Sequence, residues 1–235
     1  MKKTLTNWIY GAFEKPPMNP RLRLEGRDKA PTAFTVIGKK RLDNLQFCIE
    51  EVLRNNIPGD LIECGAWRGG ATIFMRAILK VYSVSDRKVY VADSFEGMPK
   101  TNPAKYPWDK GMEERSGLYN DYFKVGLEQV KANFASFDLL DSQVVFLKGW
   151  FKDTLPAAPI QKLAVLRVDA DLYESTMQSL VYLYPKVAVG GYIIIDDYGC
   201  YNACMQAVLD YRRTNGIQDD IIPIDWTGIY WKKTK

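Results

Sequence analysis

The sequence predicts an α/β fold, a doubly wound and mostly parallel sheet of seven strands, and three observations predict it. Short apolar runs of strand length alternate with stretches of helical period, the pattern of βαβ units. Two of the runs, Leu163-Ala164-Val165-Leu166-Arg167-Val168 and Tyr192-Ile193-Ile194-Ile195, are bulky without a polar alternation, as strands covered on both faces are. Both end abruptly in acids, Asp169-Ala170-Asp171 and Asp196-Asp197. Ligands of open α/β sheets bind beyond the carboxyl ends of the strands, so one crevice is expected to receive both clusters. A carboxylate-bound divalent metal beside a cofactor pocket is the reading that follows.

Residues 1–41 are read as an irregular N-terminal arm or lid ahead of a single domain, 42–235. Pro16, Pro17, Pro20 and Pro31 interrupt any long helix there, and Arg21, Arg23, Glu25, Arg27, Asp28 and Lys29 keep the stretch polar. Trp8, Tyr10, Phe13 and Phe34 imply that the arm packs on something, the active site or a partner subunit. An amphipathic helix is expected over 41–55, carrying Leu42, Leu45, Cys48, Ile49, Val52 and Leu53, and Pro58-Gly59 stops it. The first strand, Asp60 to Gly65, runs into Ala66-Trp67-Arg68-Gly69-Gly70-Ala71 and a helix over 72–82. Strand, glycine-rich turn and helix bring backbone N–H groups close to a cofactor. The spacing is not G-x-G-x-x-G, so a dinucleotide fingerprint is only weakly supported.

A second strand, 88–93, ends in Asp93, 23 residues beyond Gly70 (93 − 70), where such folds hold ribose hydroxyls; capping of a following helix is the plainer role. Residues 95–122 hold Gly97, Pro99, Pro103, Pro107, Gly111 and Gly117 among charges, with Tyr106, Trp108 and Tyr119 interleaved, and read as a lid loop. Helix resumes over 126–137, and a third strand, 143–148, leads to Gly149-Trp150-Phe151, whose rings suit either a purine-stacking wall or the core. The fourth strand, 162–168, and a helix over 174–184 follow. Pro185 and Gly190-Gly191 are expected to punctuate the entry to the fifth strand. A last helix over 201–213 and two short strands, 221–224 and 228–231, close the sheet as an antiparallel hairpin.

Composition narrows the chemistry. The chain has no histidine, which removes the commonest general base, the serine and cysteine triads, and the commonest transition-metal ligand. Catalysis falls to carboxylate, lysine, tyrosine or a hard metal held by oxygen. A net charge of +4, from 32 basic and 28 acidic residues mixed along the chain, lacks the density of a nucleic-acid stripe, and Lys2-Lys3, Lys39-Lys40-Arg41 and Lys232-Lys233 read as solvated surface. Four cysteines make no disulfide scaffold, and Cys200 with Cys204 lacks the partners of a zinc site; Cys48 and Cys64 read as small buried hydrophobes. No run reaches the roughly 18 apolar residues of a membrane helix, and Glu14 and Lys15 break any signal-peptide core, so a cytoplasmic location is expected.

Asp169, Asp196 and Asp197 offer enough anionic oxygen for Mg²⁺. Adjacent residues of an extended strand point to opposite faces, so Asp196 and Asp197 share one ion only if the strand turns there. Capping of the following helices is the competing role for these acids, and for Asp171.

Five blocks resemble the macrocin O-methyltransferase family: Glu63-Cys64-Gly65-Ala66-Trp67-Arg68-Gly69-Gly70, Ala92-Asp93-Ser94-Phe95-Glu96-Gly97-Met98-Pro99, Gly149-Trp150-Phe151 with Asp153-Thr154-Leu155-Pro156, Arg167 through Thr176, and Gly190-Gly191-Tyr192 through Tyr198. The resemblance runs from about Gly38 to Trp231 and is weakest over 1–37 and 100–120. It implies a class I, Rossmann-like methyltransferase that uses S-adenosylmethionine and Mg²⁺ to methylate a sugar hydroxyl on a glycosylated natural product. By that resemblance Glu63, Gly65, Ala66, Trp67 and Arg68 lie along the methionine part of the cofactor, Asp93 holds the ribose, and Ser94, Phe95, Trp150 and Phe151 border the adenine. Asp169, Asp196 and Asp197 match the metal ligands, Asp169 is the first candidate for general base and Asp171 the second. A glycosylated small-molecule acceptor and a homo-oligomer are expected, without nucleic acid or membrane. A catechol-like acceptor, a nicotinamide dehydrogenase and a non-catalytic cofactor-binding protein are the alternatives.

Overall fold

The computed structural model describes residues 1–13, 17–28, 30–112 and 121–235. Pro16, Lys29 and the 113–120 part of the expected lid, with Gly117 and Tyr119, lie outside the described residues. Seven strands, β1 (Asp60–Cys64), β2 (Val89–Asp93), β3 (Val144–Lys148), β4 (Leu163–Val168), β5 (Val187–Ile195), β6 (Ile222–Pro223) and β7 (Ile229–Lys232), form one sheet in the order β3-β2-β1-β4-β5-β7-β6. The first five are parallel, and β7 is antiparallel to both β5 and β6. Sequence order reverses between β1 and β4, which opens a crevice at their carboxyl ends.

Alternate residues of each strand feed two cores. Leu61, Val89 and Val91 pack on one face with α3 (Gly38–Arg54), α4 (Gly70–Val81) and α5 (Leu127–Ser136). Ile62, Tyr90 and Ala92 pack on the other with α7 (Tyr173–Leu183) and α8 (Asn202–Thr214). β4 is buried along its whole length, as its unbroken apolar run requires. Cys48 and Cys64 are fully buried within these cores, as expected of small hydrophobes.

Two features depart from the sequence reading. Gly190 and Gly191 lie inside β5, because Gly190 donates to the Lys233 carbonyl at 2.7 Å and Gly191 accepts from Lys233 N at 2.8 Å. The register against β4 shifts there, and Gly190 takes a φ of +89°, open to glycine. In the arm, Pro20 starts a helix. It occupies the first position of α2 (Pro20–Glu25), where its missing N–H has no helical partner to lose, and the Asn19 side chain caps Arg21 N at 3.1 Å and Leu22 N at 3.2 Å. A one-turn helix, α1 (Lys2–Leu5), sends Leu5 into the same core as α3 and α4. Among the described residues no helix is long and apolar enough to cross a membrane.

Candidate active site

The crevice is shaped first by the loop after β1. Gly65 has φ +88°, and a Cβ there would collide with the Asp169 carbonyl, so the carboxyl ends of β1 and β4 approach as closely as backbone allows. Gly69, at φ +82°, then caps α4. Asp93, at the end of β2, fastens the loop: one carboxylate oxygen accepts from Ala66 N (2.8 Å) and Trp67 N (3.1 Å), the other from Phe95 N (2.8 Å). Burial pushes the Asp93 carboxyl up, and those backbone donors pull it back.

A cavity of about 490 Å³ opens over the loop, within the range that holds nucleotide-sized ligands. Glu63, Gly65, Ala66, Trp67, Asp93 and Ser94 line it, as do Trp150 and Phe151 at the start of a one-turn helix, α6 (Phe151–Thr154). Arg68 and Phe95 do not reach it. Arg68 turns to the arm, donating to the carbonyls of Pro31 (2.6 Å) and Ala33 (2.8 Å), while Phe95 is core and packs edge-on against Phe146. Asp169, Ala170 and Asp171 also line the cavity, so it is continuous with the acid cluster.

Within the cluster the neighbours Asp196 and Asp197 have different surroundings. β5 ends at Ile195, and Asp196 N still donates to Val168 O at 2.9 Å before the chain bends. The Asp196 carboxylate then pairs with Arg41 on one oxygen and Arg167 on the other. Asp197 instead sits with Asp169 and Asp171, one carboxylate oxygen from each lying within 4.8 Å of the other two. Asp171 N donates to Asp197 at 3.2 Å, and Arg167 holds Asp169 at 2.8 Å. The geometric trio is therefore Asp169, Asp171 and Asp197, whereas the expected ligand set had Asp196 in place of Asp171. Its physical reason is the pair of arginines that already balances Asp196.

Crowding raises the carboxyls. Burial and then the Asp169 charge push Asp171 up to about 7. Burial, Asp171 and Asp169 hold Asp197 well above the ordinary range. Glu63 is fully buried and stands at about 8, raised by burial while Arg167 pulls the other way. One Glu63 oxygen accepts from Arg167; the other, Oε2, has no hydrogen-bond partner among the described residues. A buried, unpartnered acceptor on a cavity wall suits a cationic group of a ligand.

The helix-capping role proposed for Asp171 is filled from elsewhere. Asp109 reaches across from the loop after β2, one oxygen accepting from Tyr173 N at 2.6 Å and the other from Glu174 N at 3.1 Å. No pattern in the sequence signals that contact. Arg167 did carry a signal, a lone charge inside a strand buried on both faces. Arg41 carried none: it stood in a basic cluster read as solvated, and the structure corrects this by burying it while Lys39 and Lys40 are exposed.

The chain matches known proteins along its length. The profile of the macrocin-O-methyltransferase (TylF) family matches residues 2–233. The 8-demethyl-8-(2,3-dimethoxy-alpha-L-rhamnosyl)-tetracenomycin-C 4'-O-methyltransferase of Streptomyces olivaceus is 51% identical over 242 residues, covering 100% of this chain and 91% of that protein. Demethyldecarbamoylnovobiocin O-methyltransferase of Streptomyces niveus is 53% identical over 214 residues, 91% of this chain and 81% of that one. The solved structure of the O-methyltransferase NovP superposes with a TM-score of 0.94 at 49% identity, covering 100% of this chain and 96% of that one. Sheet order, switch-point cavity and these relatives define a class I O-methyltransferase. The chain belongs to the macrocin O-methyltransferase family, and membership implies S-adenosylmethionine as methyl donor.

Proposed function

We propose that the chain methylates a sugar hydroxyl of a glycosylated small molecule, with a divalent cation such as Mg²⁺ at the acid cluster. The observation that carries the reading is the continuity of the 490 Å³ cavity with Asp169 and Asp171, which supports a methyl donor and a cation sharing one space. The Streptomyces olivaceus relative, a methyltransferase of a rhamnosyl tetracenomycin, supports a glycosylated acceptor.

The donor set fits a hard cation: every ligand is oxygen, and the three carboxylates repel one another and are forced upward until a positive charge joins them. Asp169 and Asp197 are the proposed ligands. Asp196 keeps a lone pair on each oxygen beside its arginine and remains available as a third. When bound, such an ion lowers the pKa of a coordinated hydroxyl.

The remaining steps fall to the chain's own residues. Glu63 Oε2 receives the amino group of the methionine portion, Asp93 keeps the loop closed beneath the ribose, and Trp150 and Phe151 form the adenine wall. Asp171, standing at about 7 and not engaged in capping, takes the proton from the acceptor hydroxyl; Asp169 is held to Arg167 and is less free to do so. Displacement at the sulfonium methyl is in line and its leaving group needs no proton, so alignment supplies most of the rate. Incubation with S-adenosylmethionine and glycosylated acceptors, followed by mass spectrometry, should show the gain of one methylene, abolished by EDTA and restored by Mg²⁺. Full turnover by a metal-free preparation contradicts the cation's role.

A further inference from the structure

One guanidinium stands where the N-terminal arm, the acid cluster and the β6–β7 turn meet. Arg41, in the first turns of α3, is 5% exposed. It pairs with Asp196, donates through Nε to Asp225 at 3.1 Å, and reaches the carbonyls of Glu25 and Gly26 through Nη2, each at 3.4 Å. Its surroundings are shaped to it. Gly26 has φ +62°, and a Cβ there would strike the Arg41 guanidinium; a Cβ on Gly228 would lie 3.0 Å from Arg41 Cδ. Trp226 closes the same junction, its ring 6.0 Å from the Arg41 guanidinium carbon and its Nε1 donating to Glu25 O at 2.8 Å.

That junction matters because of where the arm goes next. From Gly26 the chain runs on to Thr35, Val36 and Ile37, which line the cofactor cavity together with residues of the loop after β1. Phe34 O accepts from Gly70 N at 3.1 Å, so this wall is held at one end by the first turn of α4 and at the other by Arg41.

We propose that Arg41 is a positioning residue that ties the N-terminal arm to Asp196, so that the arm's wall of the cofactor cavity stands only while Arg41 holds Asp196, Asp225 and the Glu25 and Gly26 carbonyls together. Four acceptors around one side chain need the planar fork of arginine; a lysine ammonium restores the charge without the reach. The inference rests on the proposed cofactor site for one of its two readouts and is independent of it for the other.

Arg41→Lys and Arg41→Met are the variants to compare. Hydrogen exchange on the cofactor-free protein reads the arm directly. Both variants should lose protection over 19–28 and 30–37 while α4 and the central strands keep theirs. Calorimetric titration with S-adenosylhomocysteine should then show affinity reduced on the order of tenfold in both, the loss expected when a charge-assisted anchor goes. Lysine restoring wild-type protection and affinity would overturn the proposal, since Arg41 would then contribute charge alone. Tighter cation binding by Arg41→Met with an unchanged arm would also overturn it. If the Arg41 variants fail to fold, Asp225→Asn keeps the turn contacts to Thr227 N and Gly228 N and removes the charged partner of Nε; partial loss of arm protection supports the proposal and full protection refutes it. Failure of the wild-type chain to bind S-adenosylhomocysteine would sink the cofactor reading, while the exchange result would still decide Arg41.

Discussion

Asp93 is the last residue of β2 and Asp197 stands just past the end of β5; burial pushes both carboxyls up, yet they have opposite surroundings. Asp93 faces backbone donors at Ala66, Trp67 and Phe95, so its charge is answered by the fold. Asp197 faces Asp169 and Asp171, and its carboxylate accepts from the Asp171 N–H at 3.2 Å and, at 3.7 Å, from the Cys200 thiol, with no cationic side chain paired to it among the described residues. The difference separates a carboxylate that fastens a loop from the carboxylates proposed as the cation site. A buried acid with donors organises structure, whereas buried acids facing one another hold a place for a cation or a proton.

The largest effect should come from the unanswered side. Asp197→Asn and Asp169→Asn are expected to lower turnover about a thousandfold, the scale of losing a charge-stabilising ion, while affinity for S-adenosylhomocysteine stays within a few-fold. Equal loss of cofactor binding would erase the distinction. Asp171→Asn should lower kcat by roughly a hundredfold, the low end for a general base, and should leave cation affinity less affected than Asp197→Asn does. Initial rates with mass-spectrometric detection, together with Mg²⁺ titration, separate the two roles.

A pH effect of intermediate size follows from the raised carboxyls. Glu63 at about 8 and Asp171 at about 7 hold protons in the folded, metal-free protein that the unfolded chain releases near the ordinary carboxylate range. Between those limits the native state binds more protons than the unfolded state, so stability must fall as pH rises and be fully present only below that window. Thermal unfolding without metal should therefore weaken from about pH 5 to pH 8, and Mg²⁺ should offset the loss most at the upper end. The smallest change belongs to the answered side. Asp93→Asn should reduce stability by about 1–3 kcal/mol through unmet loop N–H groups and raise the KM for S-adenosylmethionine, with kcat nearly kept.

Much of this contrast was legible in the sequence and some was not. Strand identity followed from unbroken apolar runs, and the tight turn after β1 from its glycines, because local pattern dictates both. Asp196 and Asp197 were legible as an acidic strand end, but their division of labour depends on Arg41, 155 residues away in the chain, which no local pattern encodes. Asp109 capping α7 is likewise a meeting of distant segments. Arg68 and Phe95 stand in the matching block yet face the arm and the core, since a motif fixes which residues border a turn and packing fixes which side each one takes.

The acid cluster beside the cavity is proposed as a cation site built on Asp197 and Asp169. Calorimetric titration of Mg²⁺ into the protein loaded with S-adenosylhomocysteine tests it most directly. Stoichiometric binding by the wild-type chain, lost in Asp197→Asn and kept in Asp93→Asn, is the predicted result. Binding that survives Asp197→Asn unchanged, or no binding by the wild-type chain, would contradict it.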